Sequence, residues 1–451
     1  MGNKEVSERP KKDNEFKSVT ITKNSFDFLS IIGKGGFGKV WKVRWKKNQE
    51  LYAMKEMSKA KVIDKNSVAS ILSERNLLSK MDHPFIVNMV FSFQDKDYLY
   101  LAMDLQTGGD LRYHIMQMKR FSENQTRFFM ACILLGYEYF HNNNIVHRDI
   151  KPENLVLSQK GYVKITDFGV AKDSLPEPKT VTSGTPGYMA PEVICAQSHG
   201  IAADYFALGV MGFEFMKGIR PYLGRSRKEI KEKILAHQVQ IKKHEVPEGW
   251  SLEAANCINK LLIRKQANRL GYRGSDEVKN HPWFKDFPWA DLYNMKLQPP
   301  YRPSNSDNFD TKYCNKPEHI DIETKQRYEN IMYTKQYETY FSSYENFNRY
   351  DISKEHKMFL NPHAVYERNR NSICKNDNDT DYLKYRYKRP STFMGNLSDG
   401  FYKGKRLQSG TGSSNGNDST SGLGSQHQGT GDSNNVNKLR TVDSTNNIFI
   451  K

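Results

Sequence analysis

Two periodicities divide the chain. From Phe26 to Leu105, apolar and polar residues alternate in short runs such as LSIIGKG, KVWKVRW and ELYAMKEM, the period-two pattern of half-buried strands. One amphipathic helix interrupts them, with Val68, Ile71, Leu72 and Leu78 at helical spacing. From Leu111 to about Phe287 the helical period dominates, broken by a loop-rich middle between Ile145 and Pro191. The pattern predicts an α+β, bilobal chain, with a small strand-rich lobe over 26–105 and a larger helical lobe over 106–288. Residues 1–25 read as a flexible polar tail. After Pro288 the chain turns irregular, running through LQPPYRP into a stretch thick with tyrosine and phenylalanine that ends at Tyr350. Residues 351–451 are rich in Asn, Ser, Gly and Asp; they bury too little apolar surface to offset chain entropy and are expected to be disordered.

Composition narrows the class. No run of eighteen apolar residues exists, and the most apolar stretches, Phe128–Phe140 and Ala207–Met216, carry Glu138 and Glu214, so they read as buried helices. The segment MGNKEVSERPKK lacks the apolar core of a secretory signal. The five cysteines, Cys132, Cys195, Cys257, Cys314 and Cys374, form no CxxC pair. Reduced thiols in a cytoplasmic protein are the expectation. The net charge of +17 makes an anionic membrane surface a candidate partner. The plainer reading is a lysine-solvated surface, and with no arginine-rich or aromatic-interleaved motif no specific nucleic acid is expected.

Three motifs carry chemistry. Gly33-Lys34-Gly35-Gly36-Phe37-Gly38-Lys39-Val40 follows a strand-like run, and its glycines let the backbone approach phosphates. Alone it fits a dinucleotide site or a tight turn about as well, but it runs into another strand rather than opening a helix. Lys55 in YAMK could neutralise α- and β-phosphates, with Glu74 in ILSERNLL as its ion-pair partner; such pairs are also common structural features. The third set decides: His147-Arg148-Asp149-Ile150-Lys151-Pro152-Glu153-Asn154, then Asp167-Phe168-Gly169, then Ala190-Pro191-Glu192. Phosphoryl transfer needs an in-line hydroxyl, metal ions on phosphate oxygens and fixed positive charge. Asn154 and Asp167 supply hard oxygen ligands for Mg²⁺, Asp149 a carboxylate for the hydroxyl proton, and Lys151 a cation for the transferring group.

On these residues Phe26 to about Pro303 resembles the eukaryotic protein kinase fold, and HRDIKPEN resembles its serine/threonine branch. The resemblance implies ATP-dependent transfer to Ser or Thr of protein substrates by a monomeric catalytic unit. It adds Thr185 to the catalytic set and Ile32 to the nucleotide-binding loop. It makes Met103 the gatekeeper and Asp104 and Leu105 the hinge, with Asp110 reaching the ribose and Glu153 in the ATP-binding set. Val40, Ala53 and Val156 would sandwich the adenine, and Leu78, Met89, His147 and Phe168 would form an aligned column. Glu192 with Arg269, and Asp204 in ADYFALG, match the anchors of the large lobe. HPFIVNMVFSFQDKDYLYLAMDL, TGGDL, GTPGYMAPE and a 289–350 extension with PPYRP and Asn308-Phe309-Asp310 resemble the AGC group, especially its YANK members and then the cyclic-nucleotide-dependent kinases.

Some positions depart from that pattern. Val181 stands where the AGC activation loop places its phosphorylated threonine, leaving Thr180, Thr182 and Ser183 as candidates, with Arg148 as a cation for the phosphate. Tyr337-x-x-Tyr340-Phe341 and Tyr344-x-x-Phe347 either dock beside the Glu74 helix or pack as a lid. Gly2 in MGNKEVS suggests N-myristoylation and membrane association, although Val6 stands where Ser or Thr is usual. By resemblance, Glu153 and Glu214 select arginine upstream of the acceptor, and Gly187 replaces a further acid. The rival readings are a pseudokinase scaffold, which requires loss of Lys55, Asp149, Asn154 or Asp167, and a binding protein working through KYRYKRPS.

Overall fold

The computed structural model describes residues 20–173, 183–304, 321–334 and 336–349, all inside one compact unit, Met1–Asn371. The small lobe opens with three strands, β1 (Phe26–Lys34), β2 (Gly38–Trp45) and β3 (Leu51–Ser58), and closes with β4 (Met89–Gln94) and β5 (Tyr98–Asp104). Antiparallel pairing sets Val40 opposite Lys55 and Ala53 opposite Met103. At the start of β2 a Cβ on Gly38 would lie 1.8 Å from the Glu56 carbonyl oxygen, so only glycine allows this approach to β3.

Between β3 and β4 lie two helices, α1 (Lys59–Asp64) and α2 (Val68–Lys80), where the sequence pattern predicts one. Helix α1 is too short to show a period; Ser58 caps it by accepting from Lys61 N at 3.4 Å. The buried positions of α2 are Ile71, Glu74, Arg75 and Leu78, so its inner face carries charge that a search for apolar stripes passes over.

The large lobe runs through α3 (Leu111–Met118) and α4 (Glu123–Asn142), then β6 (Ile145–Val146), β7 (Leu155–Leu157), β8 (Val163–Ile165) and β9 (Lys172–Asp173). It continues with α5 (Pro191–Ile194), α6 (Ala202–Lys217), α7 (Arg227–Ala236), α8 (Leu252–Leu261), α9 (Ser275–Lys279) and α10 (Trp289–Tyr293). Helices α4 and α6 form the apolar centre, as expected of the two most hydrophobic stretches; no helix among the described residues is long and apolar enough to cross a membrane.

The extension is more regular than its composition suggests. It forms α11 (Ile322–Met332), a 3-10 turn at Thr339–Phe341 and β10 (Phe347–Asn348). None of α11 is buried, which is why no apolar stripe announces it; Asp321 caps it, and Arg327 Nε meets Asp64 Oδ1 of α1 at 2.9 Å. Strand β10 pairs with β4, giving a six-stranded sheet of order β1-β2-β3-β5-β4-β10. Gly2, Cys314, Cys374, Asn308–Asp310, Thr180, Thr182 and residues 350–451 lie outside the described residues.

Candidate active site

The nucleotide side of the cleft is built from the sheet. Ile32, Gly33 and Lys34 end β1, Gly35 N donates to Gly38 O at 2.9 Å to close the turn, and Gly33 and Lys34 register with Val40 and Lys39. Lys65 steadies the loop tip, its Nζ 2.6 Å from Gly36 O and over the Phe37 ring. Met103, Asp104 and Leu105 lie half-buried where β5 leaves the sheet, and Asp104 N donates to Asn88 O at 3.0 Å. Val156 of β7 bridges to Asp110, so the proposed floor of the purine site joins the start of α3. Asp110 caps α3 through Tyr113 N at 2.8 Å, and burial pushes its carboxyl above the ordinary range despite that bond. Lys55 Nζ lies 2.7 Å from Glu74 Oε1. Burial would lower the Lys55 ammonium, but Glu74 and Asp167 outweigh it and hold its pKa above the usual value, so a fixed cation stands in the cleft.

Opposite lies the loop after β6. Asp149 Oδ1 accepts from Thr185 N at 2.8 Å and Thr185 Oγ1 at 2.7 Å. Its Oδ2 accepts from Lys151 Nζ at 2.8 Å, and the same ammonium reaches Thr185 Oγ1 at 2.9 Å. Gly184 has φ of +127°, and a Cβ there would lie 2.9 Å from Arg148 O, so glycine lets Thr185 come this close. Asn154 Nδ2 donates to Asp149 O at 2.9 Å, which leaves its side-chain carbonyl as an acceptor. Burial acts to raise the Asp167 carboxyl, yet Lys55, His147, Lys151 and the Gly169 amide hold it below the ordinary value, so it is a carboxylate. An ionised carboxylate and an amide oxygen are the donors Mg²⁺ takes while keeping water and phosphate oxygens; among the described residues no three His, Cys, Asp or Glu side chains gather into a protein-only metal cage. The residues fit the ion.

Behind the loop, Asp204 Oδ2 accepts from His147 N and His141 Nε2, both at 3.0 Å, and Oδ1 from Arg148 N at 2.8 Å. Phe168 is buried against His147 and Phe140, with ring centroids 5.3 and 5.5 Å apart, and Leu78 and Met89 belong to the same apolar cluster. Arg269 meets Glu192 through Nη1 at 2.5 Å and Nη2 at 2.9 Å.

Residues 26–284 match the family model described as Protein kinase domain. The chain belongs to the protein kinase family. Its relatives are AGC-type serine/threonine kinases. The chain is 40% identical over 289 residues to a probable serine/threonine-protein kinase of Dictyostelium discoideum, covering 64% of this chain and 62% of the relative. It is 38% identical over 308 residues to serine/threonine-protein kinase sgk-1 of Caenorhabditis elegans (67% and 65%). It is also 38% identical over 298 residues to a RAC family serine/threonine-protein kinase homolog of Dictyostelium discoideum (65% and 66%). The match thus spans a little under two thirds of each of these relatives.

Within this kinase chain two regions carry contacts that the sequence expectation does not include. Glu153 and Glu214 both bind Arg112, a residue the motifs do not flag. Nothing local could have flagged it, since Arg112 and Glu214 stand 102 residues apart. Arg148, read as a cation for an activation-loop phosphate, donates from Nε at 2.9 Å and Nη2 at 2.5 Å to Val170 O. Of the three phosphosite candidates only Ser183 is described, and its hydroxyl is buried without a hydrogen-bond partner among the described residues.

The aromatic tail lies against the small lobe. Tyr337, Phe341 and Tyr344 are buried, Phe347 enters β10 half-buried, and Tyr340 is exposed. Tyr344 OH donates to Tyr100 O at 3.0 Å, Arg75 Nη2 of α2 donates to Glu345 O at 2.8 Å, and Gln94 Nε2 reaches Phe341 O at 3.1 Å.

Proposed function

We propose that this chain transfers the γ-phosphoryl group of ATP to serine or threonine hydroxyls of proteins. The observation that supports this most strongly is the convergence of Lys55–Glu74, Asp149–Lys151–Thr185, Asn154 and Asp167 on one cleft. The attacking hydroxyl oxygen forms the new bond to phosphorus, the bond to the β-phosphate oxygen breaks, and ADP leaves. Asp149 accepts the hydroxyl proton, and Thr185 and Lys151 hold its carboxylate in register. Lys55, fixed by Glu74, anchors the α- and β-phosphates, and Lys151 offsets charge on the transferring group. Asn154 and Asp167 would hold magnesium, which when bound neutralises charge between phosphate oxygens. A catalytically silent scaffold would lack at least one of these groups, and all are present.

Purified protein with Mg²⁺ and γ-labelled ATP tests the assignment. Label should pass to Ser or Thr, and Asp149→Asn and Asp167→Asn should each lower turnover by about 10²- to 10⁴-fold. Equal turnover by the wild type and both variants would remove it.

A further inference from the structure

One guanidinium gathers the acidic groups on the flank of the cleft. Arg112, in the first turn of α3, donates from Nε to Glu153 Oε1 at 2.9 Å and from Nη1 to Glu214 Oε1 at 2.8 Å. Its Nη2 reaches Glu214 Oε2 at 3.3 Å and the Tyr188 hydroxyl at 2.5 Å, and Tyr188 donates on to Glu214 Oε2 at 2.6 Å. Glu153 follows Lys151 by two residues and Tyr188 follows Thr185 by three, so the cluster borders the groups that would receive an acceptor hydroxyl. It is reachable on one side, with the Glu153 side chain 39% and Arg112 23% exposed, while Glu214 at 4% forms its floor.

Two carboxylates and a phenol in this arrangement make a fitting receptor for a guanidinium, which pairs bidentately with one acid and reaches a second through its remaining donors. The chain itself already supplies that guanidinium. Arg220 packs against the neighbouring Gly187, where a Cβ would lie 2.6 Å from its Nη1. Glu214 meets Arg112 through both carboxylate oxygens and Glu153 through one, so the same guanidinium engages both acids. An arginine arriving on a substrate would have to displace a tethered competitor whose effective concentration far exceeds its own.

We propose that Arg112 is a built-in occupant of the cation subsite beside the phosphoryl-transfer centre, so that the chain phosphorylates Ser or Thr without selecting arginine upstream, and that removing Arg112 opens the subsite to substrate arginine. The proposal rests on the phosphoryl-transfer reading above and replaces the expectation of basic-directed selection. Arg112 is thereby a specificity-determining residue.

The test uses the full chain and two serine peptides that differ only in carrying Arg or Ala at the second and third positions before the acceptor. The wild-type kcat/KM ratio, Arg over Ala, should lie within about threefold of one. In Arg112→Met it should rise about 10- to 100-fold, the range of a charge-assisted hydrogen bond, and Glu153→Gln added to Arg112→Met should bring it part-way back. Arg112→Gln, which keeps a donor for Glu214, should shift the ratio in the same direction if Met destabilises α3 in a thermal melt. Fluorescence anisotropy with the same peptides carrying alanine at the acceptor reads the preference as binding alone. A wild type that already favours the arginine peptide tenfold, or folded Arg112 variants with the wild-type ratio in both assays, overturns the inference. If neither peptide receives phosphate, the catalytic reading fails, and the binding ratio still decides whether Arg112 closes the subsite.

Discussion

The backbone at Arg148 and Asp167 takes φ values of 67° and 66°, a region that costs a residue other than glycine about 1–3 kcal/mol. Such conformations persist where neighbouring bonds over-determine them. For Arg148 the bonds come from Asp204, which accepts from the amides of His147 and Arg148 and from His141. Burial would raise the Asp204 carboxyl, but the His141 bond, the nearby His147 and the Arg148 amide outweigh it and hold the pKa below its ordinary 3.8. A carboxylate with a lowered native pKa stabilises fully above the unfolded value and loses that contribution as pH falls through the native one. Asp204→Asn should therefore cost about 2 kcal/mol at neutral pH, because buried amides lose a charged acceptor. The gap between the two proteins in urea unfolding should narrow as pH falls below 4. A gap that is constant from pH 7 to the acid limit would show that Asp204 acts by packing alone.

At the scale of elements, the extension and α2 depend on each other. Helix α2 brings Glu74 to Lys55, and its buried Arg75 donates to the tail at Glu345 O. Phe341 and Tyr344 fill the adjoining space, and the Lys59 ammonium lies 5.6 Å from the Phe341 ring centroid. Phe341→Ala should destabilise the fold by about 3–4 kcal/mol, the range for emptying a buried phenylalanine site, and should also lower turnover by loosening α2. Tyr340→Ala, at a residue 41% exposed, should stay within about 0.5 kcal/mol of wild type. Urea melts and turnover of the two variants give the comparison; equal losses would mean that the tail does not read out through burial. These contacts also mark where sequence legibility ended. Asp149, Lys151 and Asn154 could be read together because one short loop carries them, and Lys55–Glu74 because strand and helix follow one another. Helices α1 and α11 leave no mark in the apolar pattern, the first for its length and the second for its solvent-facing composition, and a charged α2 face departs from a simple apolar stripe. The Arg112 cluster was illegible for a different reason: its partners come from elements that only the tertiary fold brings together.

For the molecule as a whole, the proposed catalytic groups lie within the 26–284 segment that matches the kinase family, while the sheet that carries Lys55 is completed by residues near 347. The boundary of the working unit should accordingly fall after the family segment. Strand β10 caps the β4 edge of the sheet through Phe347 opposite Ser92 and Asn348 opposite Phe91. Behind it, Tyr344 OH donates to Tyr100 O, and Arg349 pairs with Asp82. Ending the chain after Pro303 would expose that edge together with the sites of Tyr337, Phe341 and Tyr344, a combined loss comparable to the 5–15 kcal/mol total stability of an ordinary domain. Ending it after Tyr350 leaves each of these contacts in place. The two truncations should therefore behave oppositely in a labelled-ATP assay: residues 1–350 should turn over within about twofold of the full chain, and residues 1–303 should be soluble at best in part and lose most activity. Full activity of the shorter form would mean that α2 holds Glu74 against Lys55 unaided, and loss of activity in the longer form would place an essential contact beyond Tyr350.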